Sequence, residues 1–301
     1  AAATPFHSPA WLLPWWRHFG CGRLAVFAAF ADGELVGLLP AFTFERAPGV
    51  RVAALVGAGI SDYVGALVDA AFGGDALEPL ARALEALDAV EIECDAQAEG
   101  APLLASRLAA AADVQDAEPS PVLAVPPGAR ALADVVPKQQ RRNFDKARRK
   151  AEQVGALAFT TADAATRAAL LDALVSLHEA RWRAAGQPSG VLGDPRVTEF
   201  HREATTRLLE AGLLRLHGVI LDGRPIATLY AMHHRATTYL YLQGYDVAFD
   251  AVSPGCLATG YAVERALADG ARTIDFLRGR ERYKYLWGAR DRAARRLRIA
   301  R

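Results

Sequence analysis

An α+β fold laid down twice in tandem is what this sequence predicts, and three observations predict it. The first is order: each half reads strand, Asp-Gly turn, returning strand, further strand, helix, strand. The second is the likeness of the turns, Ala31-Asp32-Gly33-Glu34-Leu35-Val36 against Leu221-Asp222-Gly223-Arg224-Pro225-Ile226. The third is charge. Residues 1–137 hold 7 Lys+Arg against 17 Asp+Glu, a net −10, whereas residues 138–301 hold 28 against 17, a net +11, all hidden inside a formal +1. Two lobes with different jobs explain that split, the basic one suited to an anionic ligand; mutual attraction of the halves explains it too.

In the first half, Arg23–Phe30 alternates as a strand and Glu34–Phe44 returns from the Asp32-Gly33 turn. Short strands follow at Arg51–Val56 and Tyr63–Val68, then a helix over Asp75–Leu87, a strand over Ala89–Cys94 and a helix over Pro102–Ala112. Pro119, Pro121, Pro126 and Pro127 interrupt the pattern and place the lobe boundary in Glu118–Gly128, giving lobes of residues 1–125 and 126–301. Helical segments at Leu132–Val154, Ala168–Ala185 and Arg196–Ala211 connect the halves, with Gly186 and Gly212 as terminators. The second half then runs through strands Leu213–Leu221, Arg224–His233 and Thr237–Gln243. A helix over Gly255–Ala268, stopped by Gly270, and a last strand over Arg272–Leu277 complete it.

Composition excludes several classes. Hydrophobic residues at 52% with 23% charged are incompatible with disorder and supply ample core. The longest uncharged stretch, Ala1–Trp16, is broken by Pro5, Pro9 and Pro14, so no membrane span is expected, nor an intact signal peptide. Cys21, Cys94 and Cys256 form no CxxC pair, which argues for a reducing, cytoplasmic setting without disulfides. The seven histidines form no HExxH, and His233 and His234 on one strand face opposite ways, so no metal is expected. Gly57-Ala58-Gly59 lacks the third glycine of a dinucleotide loop, and neither a Walker sequence nor a GxSxG elbow is present.

Chemistry concentrates in Tyr239–Gly288. A strand ending Gln243-Gly244-Tyr245-Asp246 leads to a loop and then to Ser253-Pro254-Gly255-Cys256-Leu257, which opens a helix. Ser253 suits the cap, Pro254 the first turn, and Gly255 close approach of a ligand to backbone N–H groups at the positive end of the helix dipole. The same pattern also describes an ordinary capped helix. Next, Asp275-Phe276-Leu277-Arg278-Gly279-Arg280-Glu281-Arg282-Tyr283-Lys284 crowds acid, base and phenol after a strand. Such groups deprotonate an amine and protonate a leaving group; a solvated charged segment is the plainer alternative. The run Lys138–Lys150 holds seven Lys/Arg in thirteen residues, a solvated face or a surface for CoA phosphates, a nucleotide-linked sugar or tRNA. With only Phe144 among them, base stacking is disfavoured.

Asp275-Phe276-Leu277-Arg278-Gly279, Tyr283-Lys284 and Trp287-Gly288, with Gly244-Tyr245-Asp246 and Ser253-Pro254-Gly255 upstream, resemble the CelD/BcsL-type acetyltransferases of the GNAT superfamily. The likeness extends through Arg141-Arg142-Asn143, Arg181-Trp182 and Gly223-Arg224-Pro225. In the first half it includes Trp15-Trp16, Gly37-Leu38-Leu39-Pro40 and Ser61-Asp62-Tyr63, so it spans nearly the whole chain. The resemblance implies two GNAT-like lobes, each a mixed sheet flanked by helices, similar to Fem-type peptidyltransferases that take amino acids from aminoacyl-tRNA. One departure stands out: Arg280 and Arg282 replace the usual Asp and Pro, so a carboxylate role passes to Glu281 or Asp275.

By this resemblance the chain moves an acyl group, acetyl above all, from acyl-CoA to an amine, without metal. Gln243, Gly244 and Tyr245 would polarise the thioester, and Ser253, Pro254, Gly255, Cys256 and Leu257 would receive the pyrophosphate. Tyr283 would protonate the thiolate, Glu281 or Asp275 would deprotonate the amine, and Lys284 would hold anionic groups. Arg181, Trp182, Asp62 and Tyr63 would line an acceptor cleft for a small-molecule, sugar or peptide amine. The first lobe is expected to be silent, because Asp75 at its helix start repels a pyrophosphate. The rivals are a Fem-type aminoacyl-tRNA-dependent transferase and a non-catalytic module that binds a nucleotide or a partner.

Overall fold

In the computed structural model, which describes residues 3–187 and 191–301, the chain forms two compact units: Ala1–Pro119 with Arg292–Arg301, and Ser120–Asp291. The first unit contains α1 (Pro9–Phe19), β1 (Arg23–Ala31), β2 (Glu34–Ala47), β3 (Val50–Leu55), β4 (Leu67–Val68), α2 (Gly73–Glu85), β5 (Glu91–Ala98) and α3 (Arg107–Ala111). β6 (Asp113–Ala124) leads into the second unit. There follow α4 (Leu132–Val135), α5 (Lys138–Val154), β7 (Leu157–Thr161), α6 (Arg167–Ala184), α7 (Pro195–Glu210), β8 (Leu214–Leu221), β9 (Arg224–His234), β10 (Thr237–Tyr245), α8 (Pro254–Ala268), β11 (Thr273–Asp275) and α9 (Arg282–Leu286). β12 (Arg290–Ala300) returns to the first.

The repeat read from the sequence is present in the topology. In the first unit β1, β2 and β3 run antiparallel, α2 crosses over, and β5 lies parallel to β3. In the second β8, β9 and β10 run antiparallel, α8 crosses over, and β11 lies parallel to β10. Both hairpins turn on an Asp-Gly pair with positive φ at both positions (50° and 84°; 48° and 78°), the geometry a tight two-residue hairpin demands. Each sheet continues with an antiparallel strand: β12 beside β5, and the end of β6 beside β11.

Separate cores support the units. Leu39, Leu55, Leu80, Leu84 and Ile92 anchor the first; Phe144, Leu229, Leu257, Val263, Phe276 and Trp287 anchor the second. Burial of such side chains contributes about 1.5–3 kcal/mol each.

Several expectations are corrected. β6 runs straight through Pro119 and Pro121, where the sequence pattern predicts a break. Standing two residues apart, the prolines remove donors from one edge only, and the β11 ladder starts beyond them at Val122. The expected helix 132–154 is two helices, because Pro137 cannot continue the first. The strand expected over 63–68 shrinks to Leu67–Val68, and the last one to Thr273–Asp275. α1, β7, α9 and β12 had no place in the sequence reading. Ser253 does not cap α8 through its side chain; it sits in the left-handed region at φ 53°, and its carbonyl accepts the N–H groups of Cys256 and Leu257.

Candidate active site

β11 accompanies β10 only from Thr237 to Tyr239, after which the chain turns away at Phe276, whose N–H bonds to the Pro121 carbonyl. From Leu240 to Tyr245, β10 keeps its antiparallel partner β9 but has lost the parallel one. The ladder with β9 is itself irregular between Leu240 and Leu242. An opened strand edge of this kind leaves backbone donors that no sheet partner takes up.

The opening is held by packing. On the side of α6, a Cβ on Gly244 would lie 2.9 Å from the His178 nitrogen and the Leu174 carbonyl, so only glycine lets helix and strand touch backbone to backbone. Beneath α8, a Cβ on Gly260 would enter the Phe144 ring at 2.3 Å, which fixes α5 against α8. The Arg148 guanidinium covers the Phe144 ring at 4.8 Å and pairs with Glu264 at 3.2 Å.

Opposite β10, Lys284 closes the loop that follows β11. Its ammonium, 2% exposed, donates to the carbonyls of Leu277 (3.0 Å), Arg278 (2.7 Å) and Gly279 (3.2 Å) and meets the Glu281 carboxylate at 2.9 Å. Leu277 takes φ 58° to bring these carbonyls together, and Asp275, fully buried, accepts its N–H at 2.8 Å.

Between these walls lies a cavity of about 550 Å³, within the range of small-molecule sites. Gln243, Tyr245, Ser253, Pro254, Gly255, Cys256 and Thr259 line one part of it. Tyr283, Leu286, Trp287 and Arg181 line another, and α5 contributes Gln140, Asn143, Lys146 and Lys150. Three cations face one carboxylate, Asp250. The floor is tightly bonded: Gln243 donates to the Gly255 carbonyl at 2.8 Å, Thr259 to the same oxygen at 3.0 Å, and Gln140 to the Cys256 sulfur at 3.5 Å.

Two groups have displaced acidities. Burial pushes the Cys256 thiol up to about 11, so it stays protonated at neutral pH and is a poor nucleophile. Desolvation and the nearby Glu281 charge hold the Tyr283 phenol well above its usual range, with Arg181 opposing them. It too keeps its proton, although the residue is 40% exposed.

The structure gathers half of the residues singled out in the sequence around this cavity, and it displaces four others. Lys284 is not available to an anionic ligand, because three carbonyls and Glu281 occupy its donors. Asp275 is sealed in the interior, where its carboxylate holds the Leu277 N–H, and is no base for an incoming amine. Asp62 and Tyr63 lie buried in the first unit, where the Tyr63 hydroxyl accepts a hydrogen bond from Arg292. Trp182 supports the site from behind: its indole N–H bonds to His178 at 3.1 Å. Glu281, in contrast, is largely exposed beside Tyr283. Gly244 and Leu257 act in the framework. Gln140, Asn143 and Thr259 were missed. For Gln140 a signal existed, since it shares the apolar stripe of α5 with Phe144, Ala147 and Ala151.

Residues 138–285 match the family model described as an acetyltransferase (GNAT) domain. Among solved structures, FemX is similar over 98% of this chain and 92% of that one, at TM-score 0.72 and 12% identity. The C-terminal domain of a putative lysylphosphatidylglycerol synthetase from Agrobacterium fabrum is similar over 92% and 83%, at TM-score 0.60 and 12% identity. A tandem GNAT protein from the clavulanic acid biosynthesis pathway is similar over 100% and 90%, at TM-score 0.53 and 15% identity. These likenesses establish a tandem GNAT-like α+β fold. No curated protein sequence matches the chain. Among the described residues no helix is long and apolar enough to cross a membrane, and no group of three His, Cys, Asp or Glu is placed to hold a metal.

Proposed function

We propose that the second unit transfers an acyl group from acyl-CoA to an amine by direct attack on the thioester, as the likeness to CelD/BcsL-type enzymes implies. The observation that carries this reading is the loss of the parallel partner of β10 after Tyr239, beside a cavity whose wall includes Gln243 and Tyr245. A thioester carbonyl laid along that edge meets fixed backbone N–H donors, and each such donor contributes about 3–4 kcal/mol to an oxyanion. The pyrophosphate goes to the start of α8, where the Gly255 N–H has no backbone partner among the described residues and Lys146 and Lys150 add positive charge.

In this reading the amine nitrogen forms a bond to the acyl carbon, the tetrahedral adduct collapses, the C–S bond breaks, and the excess proton on nitrogen leaves through solvent, which reprotonates the thiolate. Glu281, exposed beside Tyr283, takes the proton of the incoming ammonium through solvent. Tyr283 serves the departing sulfur as a hydrogen-bond donor. A phenol held so far above a thiol's ordinary value of about 8.5 stabilises the thiolate without surrendering its proton. A thiol-release assay with acetyl-CoA and longer acyl-CoAs across an amine panel tests the proposal; no release with any pair overturns it.

A second reading has an observation of its own. Lys138, Arg142 and Lys146 are exposed on α5 at intervals of four residues, and none has an ion-pair partner among the described residues. Their rise of about 6 Å per step approximates phosphate spacing along a nucleic-acid strand. Aminoacyl-tRNA as donor predicts release of uncharged tRNA in the same assay.

A further inference from the structure

The cavity's cations are held in different ways. Lys150 donates to the Ala251 carbonyl at 3.0 Å. The Arg181 guanidinium instead lies over two aromatic rings, 5.2 Å from the centre of Tyr245 and 5.8 Å from that of Trp182. Although partly buried, it has neither a carboxylate nor a hydrogen-bond acceptor among the described residues. A half-buried guanidinium in a cavity wall, without an acceptor, gains from an anionic ligand that completes its hydrogen bonds. The planar fork of donors suits a carboxylate or phosphate gripped through two parallel hydrogen bonds. Stacking on Tyr245 and Trp182 orders that fork in advance, and Trp182 is itself fixed by its bond to His178 at 3.1 Å.

The other partners of the donor decide which substrate supplies the anion. Arg181 and Tyr283 line the same cavity, and the Arg181 charge acts on the Tyr283 phenol. Acyl-CoA has its phosphates at one end and an uncharged thioester at the other, joined by an uncharged arm. In the acyl-transfer reading the donor's phosphates already have the start of α8, Lys146 and Lys150, which leaves Arg181 for the other substrate. We propose that the acceptor is an amine bearing a carboxylate or phosphate within a few bonds of its nitrogen, and that this anion seats on Arg181. The inference rests on the acyl-transfer reading and narrows its acceptor to anionic amines.

Two matched pairs test it with acetyl-CoA as donor: glucosamine against glucosamine 6-phosphate, and β-alaninamide against β-alanine. The wild-type chain is expected to favour the anionic member of at least one pair by about tenfold or more in kcat/KM, the size of a charge-assisted bidentate contact. Arg181→Gln collapses that ratio towards one with KM for acetyl-CoA unchanged, and Arg181→Lys restores part of it. Equal kcat/KM within both pairs overturns the proposal. So does an Arg181→Gln variant that raises KM for acetyl-CoA and keeps the ratio, which would assign Arg181 to the donor. Should no amine release thiol, calorimetry with glucosamine 6-phosphate and with β-alanine separates the two ideas. Binding of either one lost in a folded Arg181→Gln chain sustains the anion seat while acyl transfer falls. Equal binding to both proteins, or binding to neither, removes the seat as well.

Discussion

Replacing Lys284 with methionine keeps the length of the side chain and deletes only the ammonium. In the native fold that ammonium satisfies three backbone carbonyls at 2.7–3.2 Å and pairs with Glu281. A buried polar group left without its partner costs about 1–3 kcal/mol. The carbonyl of Arg278 adjoins an exposed side chain and can regain water, whereas those of Leu277 and Gly279 lie in buried residues. The Glu281 side chain is 59% exposed and rehydrates readily, so its loss adds little. Lys284→Met should therefore destabilise the unit by about 3–5 kcal/mol, the middle of the range for two orphaned buried carbonyls at about 1–3 kcal/mol each. At about 2–4 °C per kcal/mol for a unit of this size, the Tm falls by roughly 6–20 °C. Urea and thermal melts read the effect, and trypsin reports its location, because Arg278, Arg280 and Arg282 are exposed on the released loop. Glu281→Gln is the control and should cost under about 1 kcal/mol. A Lys284→Met chain within about 1 kcal/mol of wild type, with unchanged tryptic cleavage, would refute the clamp.

Tyr283→Phe should lower kcat about tenfold with KM for acyl-CoA little changed, because one neutral hydrogen bond to the leaving sulfur is lost; steady-state kinetics against Tyr285→Phe check it. Gly244→Ala should destabilise by about 1–3 kcal/mol in a urea melt, since its methyl group meets α6 backbone rather than a movable side chain. Gly255→Ala should raise KM for acyl-CoA with Tm nearly unchanged, its Cβ finding the Gln243 amide at 3.1 Å and the Tyr245 ring at 3.2 Å; a bulkier residue would confound affinity with packing. Burial holds His178 near 4 and His217 near 3, both below the unfolded value of 6.5. The unfolded chain therefore binds more protons below pH 6.5, and stability present above it is lost towards pH 4 at about 1.4 kcal/mol per pH unit for each histidine. Melts at pH 7.5, 6 and 5 measure that slope, and His217→Gln should reduce it.

What the sequence disclosed and what it withheld divide along a physical line. Paired Asp-Gly turns, the hairpin strands and the helix beginning at Pro254 are local signals, and the structure carries each within about three residues. Long-range events left no such trace. β12 pairs with β5 across some two hundred residues, and its run of arginines reads as a solvated tail until Arg296 and Arg298 are seen against Asp95 and Glu93. The fate of Lys284 was hidden for a related reason. A lysine beside Tyr283 reads as chemistry, because sequence reports the charge but not the three carbonyls that converge on it. Those carbonyls converge only because Leu277 adopts a left-handed conformation, which nothing in a leucine announces. Arg181 is the converse case. The resemblance places it in an acceptor cleft, but only the fold shows the two rings it lies on and, among the described residues, no anion beside it. Charges that the fold has already satisfied hold loops in place, and charges it has oriented without satisfying are the ones left for a ligand.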